Sequence, residues 1–222
     1  MKSNRVLKNE ALSSLKGNWA PAVLASFVLF LAASVLEGPY IFMSLRAVPG
    51  WLPSSSYTVG ITALWVVILL VVMPLEVGHS NACRALLAKG DGNMLSNEFK
   101  IGFSAWLHKF WTYFLRSVCI FLWSLLLIVP GIVKALAYDM ADFIMVEEPN
   151  LSAYQAIKKS EVITKGHKNQ LFGMYLGMLG WYLLSVLTLG LGFLWLLPYV
   201  NTTRAAFYEA LKEEGEVRKV DY

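Results

Sequence analysis

The sequence has 222 residues, of which 57% are hydrophobic and 15% are charged, and its mean hydropathy is +0.54. Soluble domains usually carry about 25% charged residues, so this composition argues against an ordinary soluble protein. The net charge of +4 does not indicate a nucleic-acid partner, because the 19 basic residues are dispersed among hydrophobic stretches. Four stretches of about 17 residues or more carry no charge, and crossing a bilayer takes roughly 20. The composition therefore predicts an integral membrane protein.

The first 18 residues predict an amphipathic helix that leads into the first membrane span. Its apolar side chains recur at helical spacing: Val6, Leu7, Ala11, Leu12 and Leu15. Because polar and basic residues occupy the other face, we expect this leader to lie along the cytoplasmic membrane surface. The uncharged stretch 19–36 then predicts span one. The leader also resembles the basic region of a signal peptide, but its length favours an uncleaved anchor.

The next two stretches predict a loop and the second span. Residues 36–57 contain three prolines and two glycines, which is typical of an irregular loop. Span two is predicted at about 58–77. We expect its helix to continue out of the bilayer as an amphipathic segment and to end at the polar turn 90–93.

Four further spans are predicted in the second half of the chain. Their expected bounds are about 113–129, 131–148, 170–187 and 193–211. Pro130 and Gly131 mark the turn between the third and fourth spans. The uncharged run 170–203 would be about 50 Å long as one helix, whereas the hydrocarbon core is roughly 30 Å thick. We therefore divide this run into two spans at Gly190 and Gly192, which allow a tight reversal.

The predicted fold is an all-α, polytopic transmembrane bundle of about six spans in three hairpins. It forms one membrane domain over 19–211, followed by a charged cytoplasmic tail at 212–222. The N-terminus and the 78–110 and 146–170 connections each carry four basic residues, whereas the 37–58 loop carries one. Basic residues are enriched on the cytoplasmic side, so both termini are expected there.

The last two hairpins resemble one another in sequence. Gly131 precedes Tyr138 by seven positions, and Gly192 precedes Tyr199 by the same interval. Two matched pairs in an apolar chain could arise by chance. The spacing is therefore a hint of duplicated hairpins.

Charged residues within the predicted spans form the candidate site. Arg116, Asp139, Asp142 and Arg204 lie about 12–20 Å from the outer turns when 1.5 Å is counted per residue. Asp139 and Asp142 share a helix face, so either could meet an arginine across a helix contact. Two interpretations stay open. The cluster is a polar site for an ion, a proton or a lipid headgroup, or its pairs simply join helices.

No catalytic, cofactor or metal site is predicted. The two aspartates alone make an incomplete oxygen cage for a divalent cation. The chain lacks the histidine spacing of zinc enzymes, the GxSxG elbow and the P-loop, so His79, His108 and His167 are interpreted as interfacial residues. Cys83 and Cys119 have no CxxC spacing and are interpreted as packing residues.

Three glycines and one amphipathic stretch suggest contacts. Gly173, Gly177 and Gly180 lie on one side of span five and predict close helix packing within the bundle or, alternatively, a homodimer. Residues 151–165 predict an amphipathic helix at the cytoplasmic surface, with Tyr154 on its apolar face. Basic residues nearby could contact anionic lipid headgroups.

A set of motifs in the second half resembles a known family. These motifs are Pro130-Gly131-Ile132, Phe143-Ile144, Gly166-His167-Lys168, Gly180-Trp181, Thr188-x-Gly190-x-Gly192 and Pro198-Tyr199. Over roughly 125–211 the chain resembles the bacterial multi-pass membrane proteins catalogued as domain of unknown function 975. That family looks related to the membrane portion of some glycerophosphodiester phosphodiesterases, but no segment here is long enough for their catalytic domain. The resemblance implies a helical protein of the bacterial cytoplasmic membrane and supplies no active site.

Three functions follow as hypotheses. The first is a noncatalytic bundle that binds or organises a lipid or another membrane protein, with no nucleic acid involved. The second is a small transporter that uses the charged cluster. The third is a lipid-modifying enzyme, which lacks motif support. The sequence leaves the substrate, the partner, the oligomeric state and the biological process open.

Overall fold

The computed structural model describes residues 1–45 and 55–220, with side chains described for most of 1–34 and 70–215. Every regular element in these residues is a helix, which confirms the all-α prediction. In chain order the helices are α1 (Asn4–Leu15), α2 (Trp19–Leu45), α3 (Ser55–Lys89), α4 (Met94–Phe103), α5 (Trp106–Leu126), α6 (Ile128–Ala137), α7 (Ala141–Glu147), α8 (Ala153–Ile163), α9 (Lys168–Leu176), α10 (Leu179–Leu187) and α11 (Phe193–Val220).

Helices α2 and α3 extend beyond the first two predicted spans. α2 continues to Leu45 and α3 begins at Ser55, so the prediction of an irregular loop over all of 36–57 was wrong. The residues from Tyr40 to Leu45 are mostly apolar and include good helix formers, which outweighs the glycine and proline before them. The remainder of the predicted loop, 46–54, lies outside the described residues.

Helix α1 packs on the protein and turns sharply into α2. The two helices are bent by 98°, and Leu7, Ala11 and Leu15 are fully buried against neighbouring helices. Val6 and Leu12, which belong to the same predicted apolar face, are exposed. Only part of that face therefore remains available for a membrane surface.

Helix α11 lies at the centre of the fold. It packs against α1, α2, α3, α8 and α10, and small buried side chains such as Ala205, Ala206 and Thr202 allow these close contacts. The main core also contains Phe143 of α7 and Phe207 of α11, which are completely buried. This packing fixes the inward face of α11 against α3 and α7.

Predicted spans four and five are each broken. α6 and α7 are separated by a turn at 138–140, and α9 and α10 are separated at Gly177 and Met178. Hydrophobic periodicity runs through both breaks, so a single helix was expected in each place. Contacts with other helices stabilise the first break, as described below.

The two hairpin turns differ from the predicted ones in detail. Between α5 and α6 only Leu127 is extended, and Pro130 and Gly131 lie inside the first turns of α6. Proline is tolerated there because the first N–H groups of a helix have no partner within it. Between α10 and α11 the chain reverses at 188–192, where Gly190 adopts a φ of +89°.

Both hairpins are held by the same serine–glycine contact. A Cβ added at Gly131 would lie 2.9 Å from Ser124 Cα, and one added at Gly192 would lie 2.7 Å from Ser185 Cα. The serine precedes the glycine by seven positions in each hairpin. This parallel extends the repeat suggested by the glycine–tyrosine spacing.

We expect Gly131→Ala and Gly192→Ala each to lower the free energy of unfolding by about 1–3 kcal/mol, because the added methyl group must displace backbone atoms. Gly180→Ala is the matched control, since nothing lies within 4 Å of a Cβ at that helical position. It should be neutral or stabilising by up to about 1 kcal/mol. Thermal unfolding in detergent, followed by tryptophan fluorescence, measures the three variants. Equal midpoints for Gly131→Ala and Gly180→Ala would contradict the close contact.

The helices satisfy the criteria for membrane spans only in part. Among the described residues, the segment 168–187 is long and apolar enough to cross a membrane. The bent pair α1 and 19–32 passes only if it is counted as one span. Many side chains of α3 within the predicted second span lie outside the described residues. The six-span arrangement therefore stays a prediction.

Candidate functional site

The break between α6 and α7 positions the first aspartate of the site. The break leaves backbone N–H and carbonyl groups without partners inside a helix, and side chains in and just after α8 bind them. Ser160 Oγ donates to the Ala137 carbonyl at 2.8 Å and accepts from the Met140 N–H at 3.1 Å. Thr164 Oγ1, which donates to the Ser160 carbonyl at 2.8 Å, lies 3.2 Å from the same Ala137 carbonyl. A buried break is tolerated only where its backbone groups find such partners. Asp139 lies within this turn.

The structure brings the four predicted charged residues together, with α5, α7 and α11 as neighbours. Arg116 Nη1 lies 3.3 Å from Asp142 Oδ1, and its Nη2 lies 3.4 Å from Asp139 Oδ1. Arg204 Nη2 lies 3.1 Å from Asp139 Oδ1 and 3.0 Å from Asp142 Oδ2. Each aspartate is therefore shared between both arginines. We call these four residues the charged cluster.

Neutral side chains complete the hydrogen bonding of the charged cluster. Arg204 donates from Nη2 to the Asp139 backbone carbonyl at 2.7 Å and from Nη1 to Asn201 Oδ1 at 2.9 Å. Ser80 of α3 donates to the same Asn201 oxygen at 3.2 Å. The Tyr175 hydroxyl donates to Asp139 Oδ2 at 2.8 Å. These partners join α3, α9 and α11 to the turn at Asp139, a role that sequence spacing did not predict.

The charged cluster is balanced and largely buried. The side chains of Asp139 and Asp142 are 9% and 6% exposed, and those of Arg116 and Arg204 are 17% and 11% exposed. A buried charge costs several kcal/mol unless it is paired and hydrogen-bonded. The two arginines and the two aspartates pair with one another, so each buried charge has an opposite charge beside it. The arrangement is thus well suited to holding helices together.

A cavity of about 230 Å³ lies beside the charged cluster. Glu76 and Tyr113 line it, and the Tyr113 hydroxyl donates to Glu76 Oε2 at 2.6 Å. Glu76 has no ion pair among the described residues. It therefore adds a negative charge to the cavity wall that the arginines do not neutralise.

A second buried polar group surrounds His79 on α3. Its Nδ1 lies 3.3 Å from Glu98 Oε2 on α4, and its Nε2 lies 3.5 Å from Ser26 Oγ and 3.9 Å from Cys83 Sγ. His79 and Glu98 are completely buried. Burial opposes the charge on His79, but the Cys83 thiol and the Glu98 carboxylate raise its pKa to about 10. His79 is thus a core residue, and its interpretation as interfacial was wrong.

Close packing of α3 and α4 explains why this pair is buried. A Cβ at Gly78 would lie 2.1 Å from the Glu98 carbonyl oxygen, and one at Gly102 would lie 2.8 Å from the Pro74 carbonyl oxygen. Only glycine allows such an approach. A sequence signal for this contact exists: Gly78 adjoins His79, and Gly102 follows Glu98 by four residues.

Two of the three predicted packing glycines lie beside α1. A Cβ at Gly173 would lie 3.7 Å from Asn4 Nδ2, and one at Gly177 would lie 2.6 Å from Lys8 Nζ. Both glycines therefore face α1. Gly180 lies beyond the helix break with open space beside it, so the three residues do not form one packing face.

The remaining predictions concern α8 and metal ligands. α8 is capped by a reciprocal pair in which Ser152 and Gln155 bind each other's backbone N–H. Its buried face includes Ala156 and Ile157, whereas Tyr154 is exposed. Within the described part of the chain, no group of three or more His, Cys, Asp or Glu side chains could hold a metal ion.

Comparison with known proteins identifies the second half of the chain. Residues 125–215 match a family described as protein of unknown function (DUF975). This segment carries the DUF975 signature. The resemblance noted in the sequence is thus confirmed over that range. No curated protein and no solved structure gave a match.

The DUF975 segment contains most of the charged cluster. Asp139, Asp142 and Arg204 lie within it, together with the broken helix and Ser160, which stabilises the break. Arg116 lies before it on α5. The family is described without a function, so the match adds no activity. The relation to glycerophosphodiester phosphodiesterases stays untested.

Proposed function

We propose that this protein is a noncatalytic, six-span helical bundle of the bacterial cytoplasmic membrane that binds lipid. The supporting observation is the apolar surface on the helices that lead to the two hairpin turns. Leu125 of α5 is 68% exposed, and Leu183 and Val186 of α10 are 60% and 62% exposed. Soluble monomers rarely expose contiguous patches of this kind, and a hydrocarbon environment would cover them.

The charged cluster supports a structural role rather than catalysis. Its carboxylates are shared by two arginines and by a tyrosine hydroxyl, so their charges are already compensated. In this proposal the pairs join α5, α7 and α11 across the apolar interior. Another membrane protein is the alternative partner, and the open side of Gly180 is compatible with helix contact there.

Cysteine labelling tests the proposed topology. In a chain whose Cys83 and Cys119 are replaced by serine, Leu189→Cys and Ile128→Cys should react with a membrane-impermeant maleimide in intact cells. The matched control, Lys158→Cys, should react only after the membrane is opened, because the 146–170 connection is expected in the cytoplasm. Labelling of Leu189→Cys only after opening would overturn the topology, as would recovery of the chain as a detergent-free monomer.

Native mass spectrometry tests lipid binding. The full chain, extracted in a mild detergent, should retain one or more phospholipids of unchanged mass. When phospholipid is added and incubated with the protein, the mass of the lipid should not change. Failure to retain any lipid would contradict the binding proposal, and release of a shortened or modified lipid would contradict the noncatalytic one.

The cavity beside the charged cluster favours transport as the second candidate. Glu76 supplies a negative charge there and is bound by a tyrosine hydroxyl, so replacing it should not unfold the protein. If the protein carries cations or protons, Glu76→Gln should abolish uptake into reconstituted vesicles while the thermal midpoint stays unchanged. Absence of uptake in wild-type vesicles would remove this candidate.

A further inference from the structure

An apolar groove runs between the α1–α2 corner and the α10–α11 hairpin. Its volume is about 320 Å³, within the range of ligand pockets. Its lining includes Leu12, Trp19, Trp181, Leu184, Trp195 and Tyr199. Three of these side chains, Trp181, Trp195 and Tyr199, are aromatic and surround the open groove.

A second apolar cavity lies next to the first. Its volume is about 420 Å³, and it extends along α2 past Leu24 and Phe27. Trp19 and Trp195 line both cavities and so form the wall between them. Two adjacent apolar spaces on either side of one aromatic pair fit a ligand with two hydrocarbon chains.

Basic residues of α1 flank the groove. Leu12 lines it, and Arg5 and Lys8 lie two turns and one turn before Leu12, while Lys16 caps the helix one turn after it. The Lys8 ammonium lies against Gly177, just before the helix that carries Trp181. Lys8 and Lys16 form no ion pair with the described residues. The positive charge beside the groove is therefore not neutralised by the protein.

We propose that this groove binds one anionic phospholipid, with the phosphate on Lys8 and Lys16 and the two acyl chains in the two cavities. The proposal depends on the lipid-binding function above and names the lipid class and the site. α1 meets α2 at a bend of 98°, so Leu12 and Trp19 line the groove from two directions. An anionic headgroup supplies the missing counter-charge, whereas a zwitterionic headgroup carries no net charge.

Lipid titration of the detergent-solubilised full chain tests the headgroup contact. Phosphatidylglycerol should bind more tightly than phosphatidylcholine. The double variant Lys8→Gln/Lys16→Gln should weaken phosphatidylglycerol binding by about thirtyfold, from two basic contacts near the surface. Lys100→Gln/Lys165→Gln is the matched control, because it removes the same charge from exposed positions away from the groove. Equal loss in both double variants, or equal affinity of wild type for both lipids, would overturn the proposal.

A second pair of variants tests the acyl-chain site. Leu184→Trp should fill the groove and weaken binding of both lipids at least about tenfold, a loss of two or more buried methylene contacts. Leu183→Trp, at the neighbouring exposed position outside the lining, should have no effect. Unchanged binding in Leu184→Trp, at an unchanged thermal midpoint, would overturn this site. If lipid binds but its affinity is the same in all four variants as in the wild type, the site is refuted and the proposed function is not. If no lipid binds to the wild type, the proposed function is refuted.

Discussion

Replacing Arg204 by methionine is expected to lower the free energy of unfolding by about 3–5 kcal/mol. The change removes both contacts to the aspartates and the bond to the Asp139 carbonyl, and it leaves two buried carboxylates with one arginine. Adding Asp142→Asn to Arg204→Met restores the charge balance. The double variant should therefore be more stable than the single variant, although one more group has been changed.

Thermal unfolding in detergent and the yield of folded protein measure this effect. Lys158→Met is the matched control, since the Lys158 side chain is 60% exposed and pairs with Glu161 at 3.5 Å. Its cost should stay below about 1 kcal/mol. The interpretation that the charged cluster joins helices fails if Arg204→Met unfolds at the wild-type temperature. It also fails if adding Asp142→Asn lowers the stability of the Arg204→Met variant further.

The buried His79–Glu98 pair should make stability depend on pH. The folded protein holds the pKa of His79 at about 10, against an ordinary value of 6.5. Between these values the folded state keeps a proton that the unfolded state has lost, so stability falls as pH rises. The loss is at most about 1.4 kcal/mol per pH unit for one proton. Cys83→Ser and Glu98→Gln each remove one of the two groups that retain the proton and should reduce this slope.

The measurement is best confined to pH 6.5–8. Burial lowers the pKa of Lys109 to about 8, and its effect on stability above that pH has the opposite sign. Within the window, the wild-type thermal midpoint should fall. It should fall less in Cys83→Ser and in Glu98→Gln, because each variant removes one of the two groups that raise the pKa of His79. A wild-type midpoint that rises from pH 6.5 to 8 would refute a charged His79.

The members of the charged cluster could be predicted because isolated charges in apolar stretches need partners, which made Arg116 and Arg204 candidates for Asp139 and Asp142. The predicted shared helix face was wrong, since Asp139 lies in the turn before α7 and only Asp142 lies on that helix. The supporting residues could not be predicted in this way. Ser160 binds the broken backbone only because α8 folds back on α6 and α7, and no pattern near Ser160 indicates that contact.

The helix bounds show a similar limit. Hydrophobic stretches located most helices, but apolar character continues through the breaks at 138–140 and 177–178, so the interruptions have no local signal. Glu98 lies in a polar stretch that looks like a surface helix. Its burial follows from the close approach of α3 and α4 at Gly78. Tertiary packing overrode the local pattern in each case.

The order of the charged residues along the chain has a consequence for biosynthesis. Asp139 and Asp142 leave the ribosome well before Arg204, so a growing chain holds two acidic groups with Arg116 as their one early counter-ion. The network closes only when α11 has been made. A protein released before that point would keep an uncompensated acidic patch in its interior, and such a patch is a feature that a quality-control protease could recognise. The charge balance of the interior therefore depends on the last helix to be synthesised.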